Sequence, residues 1–521
     1  MIIKDLGSAK ILCTFAFVLG ILSFVEPGKQ GVPLIGWIFL FLTVLMKPHN
    51  IIAAIINLWS PSNSTPEYCG FVTGFEGPSV VIIELNCKVN RSSVIGICPE
   101  PVFNQSKVLY LVVLHIFQGN NQLMARAIIL DRQASFWDGQ KYAFIINDVS
   151  KVKESYIYSR RNEIIGVVGR GSEIGKLIVC LYYDDGAIQN QDIIQVDYRN
   201  NGILYQIVNA VDHEEKVSKD VLGYTQAIAV QVGTWDTTTH CFEDFNWVPP
   251  INSLVYKAEA FPEGAACTSA NDSGQMIVGT FNTGHPILID KADLVTHNAA
   301  ILGVTGSGKS CLGYSIIEEL IRGGIKVICI DNTGDYLRHV QKEKPAHIIA
   351  NDNEIDVFLA SLDEFAVATA TSVKSALLII RRTYEWAQRQ YDPAQTEIIP
   401  KVCVVIEEAH SLIPEWNSTV NPTDRDLVNQ ISKYVMQGRK YGCGVVVVTQ
   451  RTANVTKSIL SQCNTIISFQ AFDKTSNDFL SSFMEEEYIN NICRLNTGHA
   501  IIAGKALISG RPVAIMTTRR T

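Results

Sequence analysis

Hydrophobic and polar positions change their period twice along this chain. Residues 11 to 25, ILCTFAFVLGILSFV, carry no charge, and after EPGKQG a second apolar run, VPLIGWIFLFLTVLM, reaches Met46 before KPH. Each run is about 15 to 17 residues, roughly 24 Å of helix against a ~30 Å hydrocarbon core, so spanning needs Lys10, Lys29 and Lys47 to reach outward to the headgroups. The pattern predicts a two-pass transmembrane helical hairpin within residues 1–60, crossing the membrane with residues 11–46. The following NIIAAIINLW reads either as a membrane-proximal amphipathic helix or as an extension of the second span. A cleaved signal peptide followed by a buried helix, or an oligomerisation hairpin, gives a similar pattern, but no small-x-small cleavage site follows Val25. Lys4, Lys10, Lys47 and His49 lie outside the hairpin against Lys29 alone in its turn. That bias places both ends in the cytoplasm of a cell-membrane protein, with the rest of the chain on that side.

From residue 65 to 255 short β-rich runs alternate with Gly, Asn and Asp turns, and helical periods are rarely sustained. This is an all-β region, and strands so short hide their edges by closing into small barrels or sandwiches. The region echoes itself. GFVTGFEGPSVVIIEL, Gly70 to Leu85, lies without a gap on GVVGRGSEIGKLIVCL, Gly166 to Leu181. SVIGICP and KVLYLVV are followed at a similar offset by DIIQVDY and GILYQIV, which reads as two repeats. Loose alignment of any two β-rich segments is the competing explanation.

Beyond about His297 strands alternate with long helices, the signature of a parallel α/β sheet. The strand AAIL runs into GVTGSGKS, and CLGYSIIEELIRGG follows with Leu312, Ile316, Leu320 and Ile321 at core spacing before Gly323 and Gly324 stop the helix. Strand, glycine loop and helix in this order form a phosphate cradle. Gly303, Gly306 and Gly308 let backbone amides close around the phosphates of ATP, with Thr305, Ser307 and Cys311 completing the nucleotide-binding stretch. Lys309 is assigned to the β and γ phosphates and the Ser310 hydroxyl to Mg²⁺. A glycine turn of no function is the alternative, and the strand and helix around it argue against that.

KVCVVIEEAH, Lys401 to His410, ends a buried strand on two carboxylates. Glu407 is assigned to Mg²⁺ and Glu408 to the water that attacks the γ-phosphate, a surface pair capping the next helix being the alternative. His410 stays open between packing and phosphate sensing. CGVVVVTQR ends in Gln450, the candidate γ-phosphate sensor, and Arg451. Arg439, Lys440 and Arg451 read either as ordinary surface cations or as side chains delivered to a neighbouring subunit's transition state, which requires a ring.

With 521 residues and 47% hydrophobic content the chain is long enough for two or three domains. Thirteen cysteines without a C-x-x-C pair offer neither a disulfide framework nor zinc spacing. A net charge of −7 argues against a protein that coats nucleic acid with its whole surface, while leaving a locally basic channel open.

HNAAILGVTGSGKS, ICIDNTGDY, VVIEEAH, QGRKYGCGVVVVTQR and ILSQCNTIISFQ stand in the order and spacing of one family. From about Cys69 onward the chain resembles the HerA branch of the HerA and FtsK superfamily of ATPases. The resemblance implies an α/β RecA-like P-loop ATPase domain over 256–521, opening on a barrel-derived strand, preceded by a HAS-barrel-like region that is here enlarged by repetition. It further implies an ATP hydrolase of the DNA translocase or helicase kind, acting as a homo-hexamer that threads double-stranded DNA, with a partner nuclease or processing protein. Two departures stand out. The family's acidic pair is Asp-Glu, whereas Glu407 takes the first place, and the N-terminal membrane hairpin resembles the layout of FtsK-like pumps and conjugative coupling proteins. A secretion or conjugation ATPase, and a nucleotide-gated ring scaffold in a defence complex, are the alternative functions.

Overall fold

The computed structural model describes residues 66–518, except 77–78, 120–121, 131–138, 140, 183–187, 218–219, 239–240, 262–273, 341–345, 395–396 and 416–421. The expected membrane hairpin, 11–46, lies outside the described residues. Among the described residues no helix is long and apolar enough to cross a membrane. Two compact units are present, one running to Ile164 with Glu214–Tyr224 added, the other comprising Ile165–His213 and the chain from Thr225 onward.

The first unit is built on β1 (Glu67–Glu76), β2 (Val80–Leu85), β3 (Val94–Cys98), β4 (Leu109–Gly119), β5 (Gln122–Ile129) and β6 (Tyr142–Ile145). They close into a barrel in the order β1-β2-β5-β4-β3-β6. Closure leaves no edge strand, and its centre is filled by Ile83, Ile95, Ile97, Leu111 and Val113. Register shifts at Val72/Gly74 in β1 and Val113/His115 in β4 supply the extra bend that so small a barrel needs.

The second unit begins with β7 (Ile164–Val168), β8 (Lys176–Leu181), β9 (Ile193–Tyr198), β10 (Asn201–Val217), β11 (Asp220–Asp236), β12 (Cys241–Glu243) and β13 (Leu254–Lys257), the Glu214–Tyr224 stretch of β10 and β11 counting with the first unit. Their order is β10-β9-β13-β7-β8-β11-β12, and a further pairing of β10 with β11 returns six of them on themselves. Starting from the first strand of each, the two rings read β1-β2-β5-β4-β3-β6 and β7-β8-β11-β10-β9-β13, the same topology. The register is shared as well: Gly70 faces Leu85 in the first ring, and Gly166 faces Leu181 in the second. A Cβ on Gly70 would run into the Glu84 carbonyl oxygen, and one on Gly166 into that of Cys180, so both places demand glycine for one reason, the close approach of the next strand.

An eleven-stranded sheet completes the second unit. Its strands are β14 (Gln275–Thr280), β15 (Pro286–Asp290), β16 (Ala299–Leu302), β17 (Lys326–Ile330), β18 (His347–Ile349), β19 (Phe365–Ala368), β20 (Val402–Ile406), β21 (Cys443–Thr449), β22 (Thr465–Ser468), β23 (His499–Gly504) and β24 (Val513–Thr517). They lie in the order β15-β14-β24-β23-β22-β16-β21-β20-β17-β19-β18. The strands from β22 to β18 run parallel, and those from β23 to β15 join antiparallel. The sheet therefore starts before His297, earlier than the alternating pattern suggests. Hairpin strands such as β14 and β15 read locally like barrel strands, and only their pairing with β24, near the far end of the chain, assigns them to this sheet.

The second ring and the sheet share their packing. Ile193, Leu204, Val232 and Phe242 lie in one apolar cluster with Leu312, Ile316 and Leu320 of the helix Lys309–Arg322, here α1. Gln206 of β10, 1% exposed, donates to the Ala514 carbonyl and accepts from the Ala514 amide, both at 2.8 Å, and accepts from Tyr488 Oη at 3.2 Å.

Candidate nucleotide site

The strand order places the chemistry. β16 runs into the glycine loop, β20 ends on Glu407 and Glu408, and β21, ending on Thr449 before Gln450, lies between them. All three are parallel, so these residues gather at one edge of the sheet.

Gly303, Gly306 and Gly308 take φ of 145°, 76° and 117°. At Gly303 a side chain would also collide with Phe469 Cβ at 2.6 Å, so the loop can pass over β22 only without one. Ser307 Oγ donates to the Val304 carbonyl at 2.8 Å, and Lys309 Nζ donates to the same carbonyl at 2.8 Å. Lys309 is 7% exposed, and burial pulls its pKa below the ordinary lysine value, with Glu407 and Glu408 pushing the other way. It is thus an ammonium held on the Val304 carbonyl near two carboxylates, at the loop that would carry the phosphates. Ser310 and Cys311 open α1, Ser310 partly buried and Cys311 exposed.

Glu407 is half-enclosed, and burial raises its pKa. Tyr336 Oη donates to Glu407 Oε2 at 2.7 Å, a bond that lowers the pKa again. Tyr336 is 1% exposed, and its own amide donates to Asp331 Oδ2 at 2.9 Å. Asp331 also accepts from the Thr333 amide at 2.7 Å and hydroxyl at 2.6 Å, which locks the turn that carries Tyr336. Tyr336 and Asp331 are candidate site residues that the carboxylate pair alone does not announce. Their signal in the sequence was an acid directly after the buried strand KVICI.

Glu408 takes φ 48° and ψ 45°, a left-handed conformation that costs a non-glycine residue about 1–2 kcal/mol. Its Oε1 accepts from Gln450 Nε2, and Gln450 Oε1 accepts from Thr305 Oγ1, so a side-chain chain links the glycine loop to the second carboxylate. His410 Nδ1 lies 3.2 Å from Glu408 Oε2 but off the hydrogen-bond direction, leaving both atoms buried without a hydrogen-bond partner among the described residues. Burial lowers the His410 pKa, Glu408 opposes that shift, and nearby Arg451 reinforces it. Buried unpaired polar atoms of this kind suit a bound water.

Arg451, exposed, begins the segment after Gln450 on the same edge. The structure does not bring Arg439 into this site. It lies in the turn before β21, next to His297, which precedes β16, and is therefore at the opposite end of the parallel strands, roughly 20 Å away at ~3.3 Å per residue.

The residues fit a hydrated Mg²⁺: the Ser310 hydroxyl stands beside Lys309, and Tyr336 occupies only Oε2 of Glu407, leaving Oε1 uncommitted among the described residues. When bound, the ion would neutralise phosphate charge and polarise the γ-phosphate.

A glycine loop between strand and helix, with an acidic pair two strands away and a polar sensor between, defines a P-loop ATPase domain. Residues 275–487 match the family model described as "Helicase HerA, central domain". The chain is 28% identical over 137 residues to the DNA double-strand break repair helicase HerA of Pyrococcus furiosus, covering 24% of each protein. It is 33% identical over 109 residues to the probable helicase MJECL08 of Methanocaldococcus jannaschii, covering 20% of this chain and 19% of that one. Among solved structures, the genome packaging NTPase B204 from Sulfolobus turreted icosahedral virus 2 aligns at 16% identity with a TM-score of 0.32, over 42% of this chain and 97% of that one. The chain spans about a quarter of the length of the first two curated relatives it matches.

Proposed function

We propose that this protein is a membrane-anchored ATPase that assembles as a hexameric ring and uses ATP hydrolysis to move double-stranded DNA, working with a nuclease or processing partner. The observation that carries the ATPase reading is the side-chain chain from Thr305 through Gln450 to Glu408, with Lys309 beside it. A γ-phosphate seated on the loop meets Lys309 and Gln450, and its arrival competes for Gln450 and so releases Glu408 to accept a proton from the attacking water.

The DNA reading draws on the helicase relatives. The ring reading draws on Arg439, an exposed cation at the far end of its own sheet, which suits donation to a neighbouring subunit rather than to its own site. The membrane reading draws on the two apolar runs within residues 11–46. The decisive experiment is an ATPase assay on the detergent-solubilised full chain with and without duplex DNA. Turnover stimulated by duplex and abolished by Lys309→Ala is the expected result. Turnover indifferent to DNA overturns the translocase reading, and an active monomer overturns the ring.

A further inference from the structure

Next to the phosphate loop, on the side away from Glu408, lies a cavity of about 270 Å³ between the second ring and the sheet. Gln191 and Asp192 just before β9, Arg494 and Asn496 from the approach to β23, His499 at its start, and Met516 of β24 line it. We propose that this cavity holds the base and ribose of the nucleotide whose phosphates rest on the glycine loop, so that the second ring takes part in nucleotide recognition. The inference rests on the ATPase reading above.

Three bonds fasten the cavity wall to the phosphate loop. The Gly498 amide donates to the Ser307 carbonyl at 2.9 Å, the Val304 amide donates to the Gln470 carbonyl at 2.9 Å, and Gln470 Nε2 donates to the Cys493 carbonyl at 2.9 Å. The segment bearing Arg494 and Asn496 is thereby held at both ends against the loop. Direction follows from strand order. Gln450 and Glu408 mark the γ-phosphate end on the β21 and β20 side, so the nucleoside must leave over Gly308 toward β22 and β23. Met516 of β24 stands three strands from β16, about 14 Å at ~4.8 Å per strand, a distance that a triphosphate and ribose can bridge.

The lining suits the ligand. The volume lies near the low end of small-molecule sites, ~300–1,000 Å³, as expected for a nucleoside whose phosphates sit elsewhere. The Arg494 guanidinium has no ion pair or hydrogen bond among the described residues and offers a planar cation on which a base can stack. Asn496 supplies an amide for the base edge. Asp192, held by the Gln189 amide at 2.8 Å and by the Asn282 side chain, supplies a carboxylate for ribose hydroxyls. His499 Nδ1 and Gln191 Oε1, 2.8 Å apart, tie the wall of the second ring to that of the sheet.

The test uses calorimetric titration of the full chain in detergent with ATP and, separately, with inorganic tripolyphosphate, which has neither base nor ribose. The double variant Arg494→Ala/Asn496→Ala is expected to weaken ATP about tenfold or more while tripolyphosphate binds as to the wild type. The isosteric Asp192→Asn, which preserves packing, is expected to weaken ATP severalfold and again spare tripolyphosphate. Unchanged ATP affinity in these variants overturns the inference, and so does an equal loss for both ligands. Lys309→Ala must weaken both ligands; if it weakens neither, the phosphate-loop reading fails, and the nucleoside assignment fails with it.

Discussion

Glu407 is one methylene longer than the aspartate found at this place in the family that the motifs resemble, and Tyr336 takes up the difference by binding one carboxylate oxygen. Tyr336→Phe removes that bond without opening a large cavity. The expected outcome is a half-saturating Mg²⁺ concentration raised about tenfold, with metal-free ATP binding unchanged, measured by titrating turnover and binding separately. Glu408→Gln leaves the charge-independent part of the Gln450 contact in place but removes the proton acceptor. Hydrolysis falls at least about a hundredfold while ATP still binds, which single-turnover assays beside binding titrations would read. A third group concerns stability. Burial among Trp235, Phe242 and Phe261 depresses the pKa of His285 to about 4. The folded protein thus binds fewer protons than the unfolded chain between about 4 and 6.5, and stability declines as pH falls through that window. His285→Phe should flatten this acid limb by on the order of 2–3 kcal/mol, measured as midpoint shifts in denaturant at a series of pH values.

At the level of elements, the repeated strand pair is the sharpest match between pattern and structure. The gapless alignment of Gly70–Leu85 with Gly166–Leu181 corresponds to two hairpins of one register, β1 with β2 and β7 with β8. It was legible because each hairpin needs glycine where the partner strand crosses closely, and that need leaves a mark at a fixed place. Gly70→Ala and Gly166→Ala should each destabilise their own ring by at least about 2 kcal/mol, since the obstacle is backbone rather than a movable side chain. Hydrogen exchange localised to the altered hairpin would check it. In the ATPase domain the strands AAIL and VCVVI appear where their apolar runs stand, and α1 ends at Arg322 before Gly323, as the glycine pair foretells.

For the whole molecule, the second ring and the sheet share an apolar cluster and the Gln206 bonds, which makes them one cooperative body. Gln206→Leu strands the amide and carbonyl of Ala514, and a loss of about 2–4 kcal/mol is expected. Amides of β9, β10, β23 and β24 should then exchange faster together in the full chain; faster exchange in only one pair would contradict the shared body.

The division of labour between sequence and tertiary structure follows from range. Phosphate-loop glycines, Lys309, the carboxylates after β20 and Gln450 after β21 are set by neighbours a few residues away, and buried parallel strands announce themselves as short apolar runs, so residue order alone determined the ATPase core. Which strands flank β16, that Tyr336 reaches Glu407, that Gln450 bridges Thr305 to Glu408, that Arg439 lies at the far end of the sheet, and that the second ring walls a cavity beside the glycine loop depend on contacts between segments tens to hundreds of residues apart. Such contacts leave no local period to read, and only the folded chain decided them.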